Sequence, residues 1–272
     1  MVEILKAILF GIVEGITEWL PVSSTGHLIL LDEFVKLRVS EEFSAMFEVV
    51  IQLGAILAVI LLFFRKLNPF DRSKTEKLRY KTWRLWLLVI AAVIPSGVVG
   101  ILLDDWMGEH LHNYQVVSAM LILYGIAFLL IERRRPRLSA MQTVHDIDLK
   151  TALLIGCFQA LSLVPGTSRS GATILGALLL GVGRSAGAEF SFFLAIPTML
   201  GAAFLKTVKF AAAGISLTGP EAGILFTGCA VSFLVSILVI RSLMDYVRRH
   251  SFAGFGIYRI ALGAAVLCFF AK

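Results

Sequence analysis

The chain has 272 residues, of which 58% are apolar and 16% are charged. A soluble domain carries about 45–50% apolar and about 25% charged residues, so this composition excludes an ordinary soluble domain. It indicates one membrane domain over 1–272. The formal net charge of +6 is concentrated in the connections between apolar segments, where it marks topology and argues against a nucleic-acid surface.

The first apolar segment, residues 1–31, carries two acidic residues before a break near its middle. Glu14 and Glu18 are spaced i, i+4 and share one helix face, which lets both carboxylates converge on one metal ion or one water. A charge inside the bilayer costs about 2.5–3.5 kcal/mol on insertion scales, so the pair is a functional candidate. The alternative is a shallow helix from which both reach water.

The break itself carries three hydroxyl residues and an imidazole. Ser23 is equally well interpreted as an N-cap of the following helix, because hydroxyl residues favour that position. An imidazole at this depth can act as a base, an acid or a nucleophile, so His27 is a catalytic candidate. The run reads Pro21-Val22-Ser23-Ser24-Thr25-Gly26-His27.

The remaining apolar stretches include six predicted complete crossings. Glu48 and Gln52 form a second i, i+4 polar pair, predicted either to support the site or to bond two helices together. Arg259, near the predicted inner end of the last crossing, is interpreted as a cytoplasmic anchor. The predicted crossings are 44–64, 85–103, 114–131, 187–210, 220–240 and 252–271.

A second broken segment, residues 151–183, has no carboxylate but places Arg169 at its break. Arg is a permanently charged fork that suits phosphate oxygens, and the free N–H groups of the following helix favour an anion. The sequence therefore predicts phosphate binding here, assisted by hydroxyls of the first break. The predicted phosphate-binding residues are Ser168, Arg169, Ser170, Gly171 and Thr173, with Ser23 and Thr25.

Basic residues predict the orientation, because Lys and Arg mark cytoplasmic loops. They are dense at 65–84, 133–137 and 241–249. Placing all three inside requires 151–183 to begin and end in the cytoplasm, as a re-entrant helical hairpin. By the same count the first hairpin opens outside, and both termini lie outside.

The two halves resemble each other. Gly11, Glu14 and Ser23 match Gly156, Gln159 and Ser168 at an offset of 145. The predicted repeats are about 1–135 and about 148–272, and the odd number of crossings in each inverts the second. The predicted fold is therefore an all-α polytopic membrane protein, with six transmembrane helices, two re-entrant hairpins and a site where the repeats meet.

The two broken motifs resemble those of the bacterial undecaprenyl-diphosphate phosphatase family, the bacitracin-resistance type called BacA or UppP. The likeness runs along essentially the whole chain and includes the blocks 47–54 and 189–192. It implies hydrolysis of undecaprenyl diphosphate to undecaprenyl phosphate, which recycles the carrier lipid for peptidoglycan. It also implies Mg²⁺ or Ca²⁺, a bacterial inner-membrane location and a site facing outward. The motifs are Glu14-Gly15-Ile16-Thr17-Glu18-Trp19-Leu20-Pro21-Val22-Ser23-Ser24-Thr25-Gly26-His27 and Pro165-Gly166-Thr167-Ser168-Arg169-Ser170-Gly171-Ala172-Thr173.

The resulting hypothesis places the diphosphate between the hairpins, gripped by Arg169, while Glu14 and Glu18 hold the metal or activate water. Ser24 or His27 is the nucleophile, or His27 is the acid and base serving water. The partners are the polyprenyl diphosphate and membrane lipid, without nucleic acid, and a homo-oligomer stays open. A transporter that flips the lipid is the alternative function, because inverted repeats with broken helices also describe transporters.

Overall fold

The computed structural model describes residues 1–111, 113–134, 140–212, 214 and 216–270, with side chains at 104, 105, 108 and 109 left undescribed. Helices dominate this part of the chain. In chain order they are α1 Val2–Thr17, α2 Ser24–Phe34, α3 Glu41–Val50, α4 Gln52–Leu62, α5 Phe64–Leu67, α6 Glu76–Leu111, α7 Tyr114–Arg134, α8 Leu149–Ala160, α9 Arg169–Leu179, α10 Arg184–Ala212, α11 Gly219–Arg249 and α12 Ala253–Phe270.

Six of these helical stretches are long and apolar enough to cross a membrane, which confirms the six predicted crossings. The first joins α3 and α4 across Ile51, and the others are α6, α7, α10, α11 and α12. Several extend beyond the predicted bounds, as α6 does by starting at Glu76. Hydropathy detects only the lipid-facing stretch, whereas a helix continues into polar residues at the interface.

Each broken segment folds as two short helices separated by a turn. α2 and α9 are both 11 residues long and start 145 positions apart. Ser23 and Ser168, which precede them, have φ of 75° and 71° and are the only non-glycine residues with positive φ in the described part of the chain. Each also caps its helix through its hydroxyl. The two breaks therefore share one backbone design, which is compatible with the predicted repeat.

The first helix of each broken segment packs against a long helix of the opposite half. α1 packs along α11 of the second half, and α8 packs along α6 of the first. Glycines permit both approaches: a Cβ at Gly11 would lie 2.7 Å from the Gly228 carbonyl oxygen, and one at Gly156 would lie 2.1 Å from that of Ala92. The last helices of the halves, α7 and α12, pack against each other. This packing brings the two breaks together.

The connection before α8 is ordered by local hydrogen bonds. The Asp148 carboxylate accepts a bond of 2.7 Å from the Thr151 N–H, and this bond lowers the pKa of the Asp148 carboxyl. Residues 135–139, which hold part of the basic stretch used for orientation, lie outside the described residues. The assignment of inside and outside stays a prediction.

Candidate active site

The two breaks meet at the carboxylate of Glu18. Arg169 donates from Nη2 to Glu18 Oε1 at 2.8 Å, and Ser24 Oγ donates to Glu18 Oε2 at 2.9 Å. The Glu18 side chain is 5% exposed, and that of Arg169 is 10% exposed. Ser24 and Arg169 occupy corresponding positions of the two halves, one residue after the positive-φ serines. Equivalent positions of the two motifs thus bind opposite oxygens of one carboxylate.

Further hydrogen bonds fix Arg169 and join the breaks. Ser170 Oγ donates to the backbone oxygens of Glu18 and Leu20 at 3.0 and 3.1 Å. Arg169 Nη1 donates to the Ser191 carbonyl at 2.7 Å, and Thr173 Oγ1 lies 2.6 Å from Ser191 Oγ. The hydroxyls of Ser170 and Thr173 therefore contact protein atoms, and phosphate binding by them stays a prediction. Arg169 Nε is buried without a hydrogen-bond partner among the described residues.

Glu14 is a buried carboxyl group beside Glu18. Its side chain is fully buried, and neither carboxylate oxygen has a hydrogen-bond partner in the described structure. Glu18 and Glu48 repel its charge, whereas Arg169 attracts it. The burial of Glu14 and Glu18 argues against the alternative in which both carboxylates reach water. A buried carboxylate without a donor needs a cation or a proton.

These carboxylates suit a cation that keeps some of its own water. Among the described residues no three His, Cys, Asp or Glu side chains come together as a complete metal cage. Mg²⁺ typically uses one or two carboxylates, with waters and substrate phosphate completing its shell. The two unpartnered oxygens of Glu14, beside Glu18, fit that demand. The donor set therefore fits a divalent cation shared with a phosphate.

The serines with positive φ act as helix caps. Ser23 Oγ accepts from the Gly26 N–H at 3.3 Å, and Ser168 Oγ accepts from the Gly171 N–H at 3.1 Å. This supports the N-cap interpretation of Ser23. Thr25, by contrast, is exposed at the start of α2. Phosphate binding by these residues stays a prediction.

His27 faces away from the carboxylates. Its Nδ1 lies 2.7 Å from the Ser23 carbonyl oxygen, and its Nε2 lies 2.6 Å from Tyr258 Oη. A carbonyl can only accept, so these partners assign the proton to Nδ1 and leave Nε2 to accept from Tyr258. The two rings are nearly parallel, with an interplanar angle of 4° and centroids 5.7 Å apart. No local pattern pairs these two residues, which are 231 positions apart.

Glu48 and Gln52 lie on either side of the interruption at Ile51, in α3 and α4. Both are half-buried. Glu48 is near enough to repel the charge of Glu14. The structure therefore brings Glu48 towards the site, and a supporting role for the pair stays a prediction.

Arg259 is a central residue that the sequence interpretation misplaced. It is 0% exposed, so the interpretation as a cytoplasmic anchor is wrong. Its guanidinium donates to Pro21 O at 3.1 Å in the first break, and to Gly166 O and Thr167 O at 2.8 and 2.9 Å in the second. It also lies over the Tyr124 ring, 5.5 Å from the centroid. Arg259 thus ties the two breaks together from α12.

The fold and this centre define a multi-pass membrane protein with charged and hydroxyl groups buried between two helix breaks. The chain belongs to the family described as bacitracin resistance protein BacA, whose family model matches residues 7–265.

Relatives named undecaprenyl-diphosphatase resemble the chain over nearly its whole length. The protein from Lactiplantibacillus plantarum is 56% identical over 271 residues, covering 99% of this chain and 98% of the relative. That from Enterococcus faecalis is 55% identical over 269 residues, covering 98% and 96%. Undecaprenyl-diphosphatase 1 of Clostridioides difficile is 56% identical over 270 residues, covering 99% and 97%.

Proposed function

We propose that this protein hydrolyses undecaprenyl diphosphate to undecaprenyl phosphate and inorganic phosphate in a bacterial inner membrane. The observation that carries the proposal is the convergence of Ser24 and Arg169 on the two oxygens of Glu18. It brings a hydroxyl, a carboxylate and a guanidinium suited to phosphate oxygens into one buried place. The names and near-complete coverage of the relatives support the same activity.

Ser24 is the nucleophile in this proposal. Its Oγ already donates to Glu18 at 2.9 Å, which is the contact that a hydroxyl nucleophile needs with its base. Ser24 Oγ attacks the terminal phosphorus while its proton passes to Glu18. The anhydride P–O bond breaks, and undecaprenyl phosphate leaves with the bonding electrons. Water then cleaves the phosphoserine, releasing phosphate, and Glu18 returns the proton to Ser24.

Arg169 binds and orients in the same scheme. It holds Glu18 through Nη2, and its unpartnered Nε can donate to a phosphate oxygen. Phosphoryl transfer depends mainly on positioning and charge neutralisation, which a guanidinium supplies. His27, with both ring nitrogens bound to protein, positions the first break.

Glu14 and Glu18 are the residues that would hold Mg²⁺ or Ca²⁺. When bound, such an ion neutralises charge on the phosphate oxygens and polarises the phosphorus for attack. The unpartnered oxygens of Glu14 are the structural support for this part of the proposal.

The orientation and the partners complete the proposal. The basic loops favour a site that opens outward, with both termini outside, acting on a lipid in the membrane. Classification as a phosphoric anhydride hydrolase follows from the bond cleaved. The names of the relatives do not favour a flippase.

Phosphate release from undecaprenyl diphosphate by purified protein in detergent tests the activity, because no transport can be scored without two compartments. Arg169→Ala and Glu18→Ala should each lose about 10³-fold or more in kcat/KM. Arg241→Ala, on an exposed part of α11, is the control. Full activity in Arg169→Ala or Glu18→Ala would show that the active site is assigned wrongly.

Rapid quench with substrate labelled in its terminal phosphate tests the nucleophile. We expect label on Ser24, mapped by mass spectrometry, and none in Ser24→Ala. Label on His27 would move the nucleophile to the imidazole. Absence of a phosphoenzyme throughout a single turnover would favour direct attack by water.

A further inference from the structure

A cavity of about 680 Å³ lies beside the first break, between α11 and α12. His27 and Tyr258 line one end. Away from this end, the lining includes Ser242 and Tyr246 of α11 and Gly254 of α12, which lies one helical turn before Tyr258. Its volume falls in the range of roughly 300–1,000 Å³ that small-molecule sites occupy.

The described residues that line the cavity offer little to a polar ligand. They are mostly aliphatic or aromatic, and none is acidic, lysine or arginine. The Thr17 hydroxyl donates to its own helix at Val13 O, 2.7 Å away. His27 and Tyr258 bond each other at 2.6 Å. The hydroxyls of Ser242 and Tyr246 are the other polar groups of a lining that is otherwise apolar, so the cavity suits a hydrocarbon.

Some residues that line the cavity are close in sequence to residues of the reactive centre. Thr17 directly precedes Glu18, and His27 lies one helical turn after Ser24. Val22, also in the lining, belongs to the same break. A molecule whose charged end contacts Ser24 would therefore have the cavity beside its next atoms.

We infer that this cavity, between α11 and α12, binds the isoprenoid chain of the substrate. The inference rests on the proposed function, which supplies a diphosphate with a long polyprenyl chain. The first isoprene units pass His27 and Tyr258, and the following ones run towards Ser242 and Tyr246. Burial of each further unit adds apolar contact, so the cavity selects a long chain over a short one.

A substitution that fills the far end tests this selection. In Ser242→Trp the indole occupies the space of the later isoprene units. The measured quantity is kcat/KM for undecaprenyl diphosphate divided by that for dimethylallyl diphosphate, whose single isoprene unit stops short of Ser242. We expect this ratio to fall by about tenfold or more, mainly through KM for the long substrate.

Leu234→Trp is the matched control, because Leu234 is an exposed position of the same helix outside the cavity lining. It should leave the ratio unchanged. An unchanged ratio in Ser242→Trp would overturn the inference while leaving the proposed function intact. If wild-type protein releases phosphate from neither substrate, the proposed function fails and the inference fails with it.

Photo-crosslinking gives a second measurement that does not depend on a folded variant. Wild-type protein is irradiated with a polyprenyl diphosphate analogue carrying a photoreactive group on its third isoprene unit. We expect adducts on 238–246 and 254–258, suppressed by excess undecaprenyl phosphate. Adducts confined to other helices would overturn the inference. So would equal labelling by a photoreactive phospholipid that undecaprenyl phosphate does not displace, since the cavity would then be a general lipid site.

Discussion

The two helix breaks share a backbone but differ in chemistry. Ser23 and Ser168 have nearly the same φ and cap helices of equal length. Glu14 and Gln159, which precede these serines at corresponding positions of the two repeats, are both buried. Gln159 donates from Nε2 to Ser96 and Thr198, whereas the carboxylate of Glu14 has no hydrogen-bond partner in the described structure. One repeat thus has a neutral amide that is bonded through Nε2, with Oε1 buried and unbonded in the described structure, where the other has a carboxyl group with neither oxygen bonded.

The largest effect is expected from making the first break resemble the second. Glu14→Gln preserves size but removes the negative charge. We expect kcat/KM to fall by about 10²–10⁴-fold and the Mg²⁺ concentration for half-maximal activity to rise, because a cation ligand is lost. Phosphate release measured across a Mg²⁺ titration checks both. An unchanged Mg²⁺ requirement would show that Glu14 does not hold the metal.

The mirrored change, Gln159→Glu, is the comparison for that variant. The hydroxyls of Ser96 and Thr198 already donate to Val93 O and Leu194 O, so they cannot also donate to a carboxylate. We expect lower stability, by about 1–3 kcal/mol, and a smaller loss of activity than in Glu14→Gln. Thermal unfolding in detergent measures the loss of stability. Activity at a temperature where the variant is folded measures the loss of catalysis separately. Equal losses of activity would contradict the division between the breaks.

Arg259 connects the two breaks, and its removal should affect catalysis without touching the reacting groups. In Arg259→Met the bonds to Pro21, Gly166 and Thr167 are lost, and we expect kcat to fall by about 10²-fold through misplacement of Glu18 and Arg169. Arg259→Lys keeps the charge and should recover part of the loss. Steady-state kinetics on both, with thermal unfolding, tests this. A variant that unfolds early but shows normal kcat when folded would give Arg259 a purely structural role.

The glycine contacts test whether the exchanged packing is equally tight in both halves. Gly156→Ala places a Cβ 2.1 Å from a backbone oxygen, against 2.7 Å for Gly11→Ala. We expect each to lower the free energy of unfolding by about 1–3 kcal/mol, with Gly156→Ala the worse. Gly201→Ala meets nothing within 4 Å and should be neutral or slightly stabilising. Thermal unfolding of the three proteins decides, and equal destabilisation by all three would contradict the packing argument.

The smallest difference is expected at the capping serines. Ser23→Gly and Ser168→Gly lose a cap but suit a positive φ, so both should be nearly neutral for stability. Ser23→Ala and Ser168→Ala lose the cap and keep the unfavourable φ, and should be less stable by about 1 kcal/mol than the glycine variants. Unfolding temperatures of the four variants test whether the breaks respond alike. If Ser→Ala lowers stability at one break only, the two breaks do not share the same backbone requirement.

Local chemistry made much of the fold predictable. The six crossings follow from runs of apolar residues, and the two breaks follow from Pro, Gly and hydroxyl residues inside otherwise apolar segments. The interruption at Ile51 has no such residue and was not predicted. Glu14, Glu18 and Arg169 were found because a charge in a membrane segment requires a reason.

Contacts between distant residues were beyond the sequence. The pairing of His27 with Tyr258 depends on how α2 meets α12, which no local pattern specifies. Arg259 carried a visible signal, as a charge within an apolar segment. Its closeness to a predicted cytoplasmic end made anchorage the simpler interpretation, and only the packing of α12 against α7 shows that it is buried.

The packing of α1 against α11 of the opposite half also determines when the reactive centre can form during synthesis. α1 is made first, but its partner α11 begins only at Gly219, and Arg259 follows later still. At the usual pace of translation, this delay is on the order of ten seconds or more. Until residue 169 is made, Glu18 lacks Arg169, and a chain cut short before α12 also lacks the bonds of Arg259 to both breaks. The reactive centre, which takes residues from both halves, is therefore among the last parts of the molecule to assemble.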